Sequence, residues 1–140
     1  MASLFKSFDS ARINSLGGKV GHSDPEFVWE GPNGVTAVKF LDSDKLGKQN
    51  ENDLFVADIV NGNLYPFDLN HNRTGLLILC SLADKIAEGP KDMDKVLFGR
   101  GFIGNGSGDF PGTTDLDVGP DGYLYVLSYG EEAIYSCSKV

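Results

Sequence analysis

Hydrophobic and polar positions alternate most clearly in residues 113–137, and this pattern predicts three short strands. Polar and apolar residues alternate over 114–118, a Gly-Pro-Asp-Gly turn follows at 119–122, and aromatic and branched residues resume at 123–127. A second break at 129–132 precedes a third strand at 133–137. Three strands with tight connections form an antiparallel meander, the unit from which propellers, barrels and sandwiches are built.

A second group of strands is predicted earlier in the chain. Extended runs at 26–29, 35–41, 54–58, 63–69 and 76–79 are separated by turn residues, and Asn61-Gly62 is a strong hairpin signal. Residues 35–79 therefore predict four successive strands. Pro66 cannot donate a ladder hydrogen bond, so its strand is predicted to have an unpaired side or a bulge.

One short helix is predicted between the two strand groups. Residues 81–84 have the spacing of an N-cap followed by an acidic residue, and Gly89-Pro90 supplies a stop, which predicts a helix over 82–88. The chain then divides into an N-terminal extension at 1–21, a first strand group at 22–80, an insertion at 81–112 and a partial group at 113–140. Residues 4–8 of the extension are a candidate closing strand.

The two strand groups resemble each other. Residues 54–58 followed by 63–65 match residues 123–127 followed by 133–135, because each has an apolar-aromatic-Val strand, a short polar turn and a second aromatic strand. A repeat at a spacing of about seventy residues, with a helix-bearing insertion between the copies, suits two blades of a propeller rather than two unrelated sheets. The predicted fold is all-β, with about two four-stranded antiparallel propeller-type blades, the last one incomplete.

Composition narrows the classes of function. The 140 residues fit one domain but are few for a closed ring of blades. A formal net charge of −8 argues against binding nucleic acid or an anionic membrane surface. No apolar run is long enough to span a membrane and the first residues lack the apolar core of a signal peptide, so the sequence predicts a soluble chain without an export signal.

Residues with reactive side chains are few. Cys80 and Cys137 do not form a metal knuckle, and both free core cysteines and a single disulfide remain open. Residues 99–104 match a dinucleotide-binding glycine pattern, but glycines and a proline follow where a helix should begin, so no nucleotide site is predicted. His22 and His71 lie in polar, turn-like stretches and are predicted to be solvated.

Two aspartates stand out in the last strand group. Asp115 and Asp117 flank Leu116, so both are predicted to project from one face of the strand. If that face borders a channel or an interface, they can bind a ligand; if it borders solvent, they only add charge.

Four segments together resemble a known family. Residues 35–41, 52–58, 62–65 and 114–127, above all the run Asp-x-x-Val-Gly-Pro-Asp-Gly-x-Leu-Tyr-Val from Asp115, look like the last two blades of soluble glucose/sorbosone dehydrogenases. Those proteins are six-bladed propellers that oxidise sugars with pyrroloquinoline quinone (PQQ) and calcium. The resemblance spans about residues 23–137.

The resemblance implies a set of cofactor-binding positions. Trp29, Pro32 and Asp115 keep plausible matches to the family, while Asn61 and Thr114 occupy positions of its cofactor-contacting lysine and an arginine. The family's other arginine corresponds to Gly112, and its base histidine belongs to an earlier blade, so no catalytic or metal-binding residue is assigned in this chain.

Two functions follow as expectations. The chain is either a segment of a PQQ- and calcium-dependent sugar dehydrogenase that acts only when other blades complete it, or a non-catalytic propeller module that binds partners and self-assembles. The loop at 101–112 is the expected binding loop of such a module. Expected partners are further copies of the chain or the remaining blades of a longer one, with a sugar as a possible ligand; three copies would complete a six-bladed ring.

Overall fold

The computed structural model describes residues 25–31, 33–78, 80–96 and 112–138. In these ranges the chain is built mostly of strands, which form three small sheets with one α-helix. The elements are β1 (Val28–Trp29), β2 (Val35–Phe40), β3 (Leu54–Asp58), β4 (Leu64–Phe67), β5 (Ile86–Ala87), α1 (Pro90–Val96), β6 (Thr113–Val118), β7 (Leu124–Ser128) and β8 (Ala133–Cys137). The predicted all-β character is confirmed.

Two antiparallel sheets of three strands make up most of the fold. The first sheet has the order β2-β3-β4 and the second the order β6-β7-β8, so each is a meander of consecutive strands. Pro66 lies in β4, at the edge of the described first sheet, where its missing N–H is tolerated. β1 and β5 form a separate parallel pair of two residues each.

The two large sheets pack face to face around one core. The core draws buried side chains from both sheets and from the loop after β2: Ala37, Leu41, Leu46, Phe55, Ala57, Leu64, Leu116, Leu124, Val126 and Cys137. Because strand side chains alternate between faces, Phe55 and Ala57 of the first sheet point at Leu124 and Val126 of the second. Neither sheet can bury this face without the other.

The opposite face of the first sheet is covered by residues flanking it in the chain. Val56, Tyr65, Phe67, Leu82 and Val96 form a second buried cluster. Phe27 and Trp29 complete it with an aromatic stack in which the Phe27 ring lies 5.0 Å from both the Trp29 and Phe67 rings. The segment that connects the sheets therefore folds back over the first one.

The two sheets repeat each other in detail. In each, a β-bulge interrupts the pairing after the first residue of the first strand, between Val35 and Ala37 and again between Thr113 and Asp115. The residue opposite the start of the bulged strand is a fully buried polar one, Asp58 in the first sheet and Ser128 in the second. The structure aligns 54–58 with 124–128, one residue later than the match predicted from sequence.

The helix prediction was wrong in position. Residues 80–82 form only a 3-10 turn, Lys85 has a φ of 61°, and Val28 donates its N–H to the Lys85 carbonyl at 2.9 Å. Pairing with β1 thus holds Ile86 and Ala87 extended, and the left-handed backbone of Lys85 just before them breaks the predicted helix. Gly89-Pro90, predicted as the stop, instead begins α1, since proline suits the first helical position.

The fourth strand of the first group is reduced to one bridge. Leu69 pairs with Leu76 across the Asn70–Gly75 turn, and residues 77 and 78 are not in a strand. Asn70 turns the chain tightly by accepting a hydrogen bond on Oδ1 from the Thr74 N–H at 2.9 Å. The candidate closing strand at 4–8, the glycine pattern at 99–104 and most of the loop at 101–112 lie outside the described residues.

Candidate functional site

Most of the predicted cofactor positions lie at one end of the two-sheet stack, where β2 and β6 begin. The Thr36 hydroxyl donates to the Thr113 carbonyl at 2.7 Å, which places the two strand starts side by side. The loop after β3 and the loop after β7 reach the same end, because Ile59 donates its N–H to the Gly34 carbonyl and Tyr129 does so to Gly112. This end is called the turn end below.

Asp58 organises the turn end. Its carboxylate is fully buried and accepts four hydrogen bonds: from the Gly34 N–H at 2.9 Å, the Val60 N–H at 2.8 Å, the Asn61 amide at 2.6 Å and the Tyr65 hydroxyl at 3.3 Å. A buried charge needs this degree of hydrogen bonding to offset its desolvation. Asp58 therefore ties the start of β2, the loop after β3 and β4 into one unit.

Tyr65 carries this polar network into the aromatic cluster. Burial raises the pKa of its phenol to about 12, and the neighbouring Asp58 carboxylate acts in the same direction. The Asn63 amide donates to the phenol oxygen at 3.1 Å, and the Trp29 ring lies 5.2 Å away. The phenol stays protonated at all ordinary pH values and serves as a donor to Asp58.

Trp29 is enclosed in the cluster behind the first sheet. Its ring contacts those of Phe27, Tyr65 and Phe67. Its indole Nε1 is buried and has no acceptor among the residues that the structure describes. Pro32, the predicted neighbour of Trp29 in the cofactor set, lies outside the described residues.

Asn61 is committed to the loop that carries it. Its side-chain amide donates to Asp58 and, at 2.8 Å, to the Asn33 side-chain oxygen. With Trp29 packed inward as well, these two predicted positions are used in internal contacts. As arranged, they do not fit a cradle for an anionic quinone, which requires cationic donors facing the ligand.

Thr114 and Asp115 lie on the second sheet. The Thr114 hydroxyl donates to the Leu127 carbonyl at 3.4 Å, and Asp115 is exposed with its carboxylate accepting the Leu116 N–H at 2.9 Å. Asp117 is exposed too while Leu116 is buried, so the two aspartates share a face as predicted. A hydrogen bond from Lys39 lowers the pKa of Asp117 and raises that of the lysine, so this ion pair ties β2 to β6.

A buried carboxyl pair at the other end of the first sheet was not predicted from the sequence. Leu54 pairs with Phe67, so Asp53 and Asp68 stand opposite each other one step further along the same register. Asp53 is only 6% exposed. Burial, followed by a hydrogen bond with Asp68 and the charge of that group, raises the pKa of Asp53 to about 7. The sequence can predict this carboxyl pair only once the hairpin register is known, because the register places Asp53 opposite Asp68.

Two hollows adjoin this carboxyl pair. One, of about 480 Å³, is bordered by both carboxyl groups with Glu51, His71 and Arg73, and the other, of about 210 Å³, lies toward α1 and Lys95. The Arg73 guanidinium donates to the Asn52 side chain beside Asp53. Within residues 25–31, 33–78, 80–96 and 112–138, no three His, Cys, Asp or Glu side chains are grouped to hold a metal ion.

The outer face of the second sheet is not covered by any part of the chain that the structure describes. Asp115, Leu127 and Ile134 stand in one row across it, and the two apolar side chains are 41% and 69% exposed. Their equivalents in the first sheet include Ala57, which is buried against the second sheet. We call this surface the stacking face.

No helix of the described segments is both long and apolar enough to cross a membrane.

Comparison of the chain with family models, curated proteins and solved structures gives no significant match.

Proposed function

We propose that this chain is a non-catalytic β-propeller-type module in which two blade-like sheets provide a scaffold that pairs with a second copy. The observation that carries the proposal is the asymmetry of the stack. Among the residues that the structure describes, the first sheet is covered on both faces, whereas the second is covered on one only. An uncovered sheet face with adjacent aliphatic side chains is a surface built to pack against another sheet.

The blade-like character rests on the repeat. Both sheets share strand order, bulge position and a buried polar residue at the same place, and they stack with the same face pointing the same way. Consecutive blades of a propeller have this relation.

Because the first sheet is already covered, the favoured partner of the stacking face is the stacking face of a second copy. In a ring, the stacking face of one copy would meet the outer face of the next copy's first sheet, and Trp29, Leu82 and Val96 already occupy much of that face. A two-fold pair of stacking faces avoids this obstruction. The arrangement therefore favours a dimer over the ring of three expected from sequence.

The proposed dimer is expected to have a low affinity. Three strands about 4.8 Å apart and five residues of about 3.4 Å each give a face of roughly 240 Å². Stable interfaces bury about 800 Å² per partner, so we expect dissociation constants of at least tens of micromolar. Since each copy carries a net charge of −8, added salt should strengthen the pairing.

Sedimentation velocity over a range of protein concentrations tests the proposal. Wild type should show a mass that rises with concentration toward that of a dimer, and Ile134→Lys should abolish the rise by placing a charge on the stacking face. Val60→Lys, at an exposed valine of the turn end, is the matched control. A folded protein that stays monomeric up to about millimolar concentration, far above the range expected for a weak pair, contradicts the proposal.

The second candidate is a segment of a quinone-dependent sugar dehydrogenase, active when further blades complete it. The sequence resemblance of residues 35–65 and 114–127 to the last two blades of that family supports it, and PQQ with calcium would supply the hydride-accepting chemistry. The internal contacts of Trp29 and Asn61 argue against it, because neither side chain is free to contact a cofactor. The candidates are separated by adding PQQ and calcium and measuring both binding and dye-linked glucose oxidation. Binding without oxidation would indicate a ligand-binding module. Absence of both binding and oxidation would exclude the enzyme.

A further inference from the structure

Two Asn-Gly sequences meet at the turn end, and Asp58 contacts both. The Gly34 N–H donates to the Asp58 carboxylate at 2.9 Å, and the Gly62 N–H donates to the Asp58 carbonyl at 3.0 Å. The Asn61 amide bridges the other oxygen of the Asp58 carboxylate and the side chain of Asn33. Two sequences far apart in the chain thus depend on one buried aspartate.

Asn-Gly is the dipeptide most prone to deamidation. The glycine nitrogen loses its proton and attacks the side-chain carbonyl carbon of the preceding asparagine, where a ring C–N bond forms and the C–NH₂ bond breaks. The side-chain nitrogen leaves as ammonia and takes up one proton, which balances the proton that the glycine nitrogen lost. Water then opens the cyclic imide to aspartate or isoaspartate. Glycine permits the attack because it lacks a Cβ and adopts the required backbone angles freely.

We propose that Asn33 and Asn61 are deamidation sites that Asp58 keeps unreactive in the folded protein. The reaction needs an amide anion at the glycine, and a negative carboxylate accepting the Gly34 N–H disfavours that anion. At Gly62 the bond to the Asp58 carbonyl holds the N–H in place. The fixed amide of Asn61 further prevents its carbonyl carbon from turning toward the glycine nitrogen.

The two sites should differ in what their modification does. Deamidation of Asn61 replaces its donating amide by a carboxylate oxygen 2.6 Å from the Asp58 carboxylate. Because Asp58 is fully buried, the repulsion between the two negative charges is poorly screened. Deamidation of Asn33 keeps the oxygen that accepts from Asn61 and loses only a 3.5 Å contact to the Tyr65 hydroxyl. Conversion of Asn61 to aspartate therefore opens the turn end, whereas conversion of Asn33 to aspartate leaves it closed.

Peptide mapping by mass spectrometry at pH 8 and 37 °C tests the protection. Folded wild type should deamidate at both sites at least about tenfold more slowly than the same protein in urea, because reaction requires opening of the turn. Equal rates would overturn the proposal. Asp58→Ser, which installs the residue of the equivalent position in the second sheet, should speed both sites. Leu124→Ala, a core change away from the turn end, should speed them only as far as its global unfolding explains.

A second measurement does not depend on the Asp58 variant folding. Asn61→Asp and Asn33→Asp reproduce the aspartate products at the two sites, and urea unfolding should show a markedly lower midpoint for the first and a small change for the second. Equal effects of the two substitutions would show that Asp58 does not distinguish the sites and would refute the assignment.

Discussion

Replacing Asp53 by asparagine should make the protein more stable at neutral pH. The Asp53 carboxyl is buried opposite Asp68, and its pKa is raised to about 7. An amide of the same shape can donate to the Asp68 carboxylate without carrying a charge. The substitution Asp53→Asn therefore removes the desolvation and repulsion that ionised Asp53 suffers.

The sign and size follow from proton linkage. A group whose pKa is higher in the folded state contributes most at low pH, and that contribution is lost as pH rises from the unfolded value toward the folded one. Here the window runs from the ordinary value of 3.8 to about 7. At about 1.4 kcal/mol per pH unit, the loss is at most of the order of 4 kcal/mol over the whole window, and solvent screening beside the hollow reduces it further.

Urea unfolding followed by Trp29 fluorescence measures the effect. Because the pI is about 4.6, the assay is best run from pH 5.5 to 8, where at most about 2 kcal/mol of the loss remains. Wild-type stability should fall across this range relative to Asp53→Asn, and the two curves should converge toward the acid end. Glu51→Gln, an exposed carboxylate on the same hollow, is the control. Parallel curves for wild type and Asp53→Asn would refute the reasoning.

Three further outcomes are expected. Leu124→Ala should cost about 2–5 kcal/mol of unfolding free energy, because this fully buried leucine lies in the core that both sheets share; a cost below about 1 kcal/mol would mean that the sheets do not depend on each other. The Cys137 thiol is buried, which raises its pKa to about 12, so a thiol reagent should label it only on unfolding. Rapid labelling of Cys137 in the folded protein, distinguished from Cys80 by peptide mapping, would contradict its burial. Gly112→Ala should destabilise the protein in thermal melts, since φ is +69° and the new Cβ would lie 2.6 Å from a backbone nitrogen, whereas Gly31→Ala, which meets nothing within 4 Å, should not.

Strand positions were predictable because the relevant signals are local. The alternation around Leu116 and the turn at 119–122 specify β6, β7 and their connection, and the structure has them there. The helix was misplaced because the extended conformation of Ile86 and Ala87 is imposed by pairing with β1, a contact between residues almost sixty positions apart. No local pattern contains that information.

The sequence predicts which strand ends come together, but not which partners their side chains take. Asn61 and Thr114 do lie at one end of the stack, which follows from strand order alone. Whether a side chain faces a ligand or its own loop depends on partners such as Asp58, whose burial becomes visible only in three dimensions. For the same reason Asp53 was missed, since its neighbour Asp68 is fixed by the hairpin register.

The covering of only one side gives the stack a direction. The segment between the sheets covers the first one, as a terminal cap does in repeat proteins, whereas no residue of 25–31, 33–78, 80–96 or 112–138 covers the outer face of the second. In the described part of the chain, a third sheet could therefore be added at one end only. A tandem duplicate of residues 112–138 fused after β8 should extend the fold by one layer, and the buried cluster around Trp29 would be unaffected.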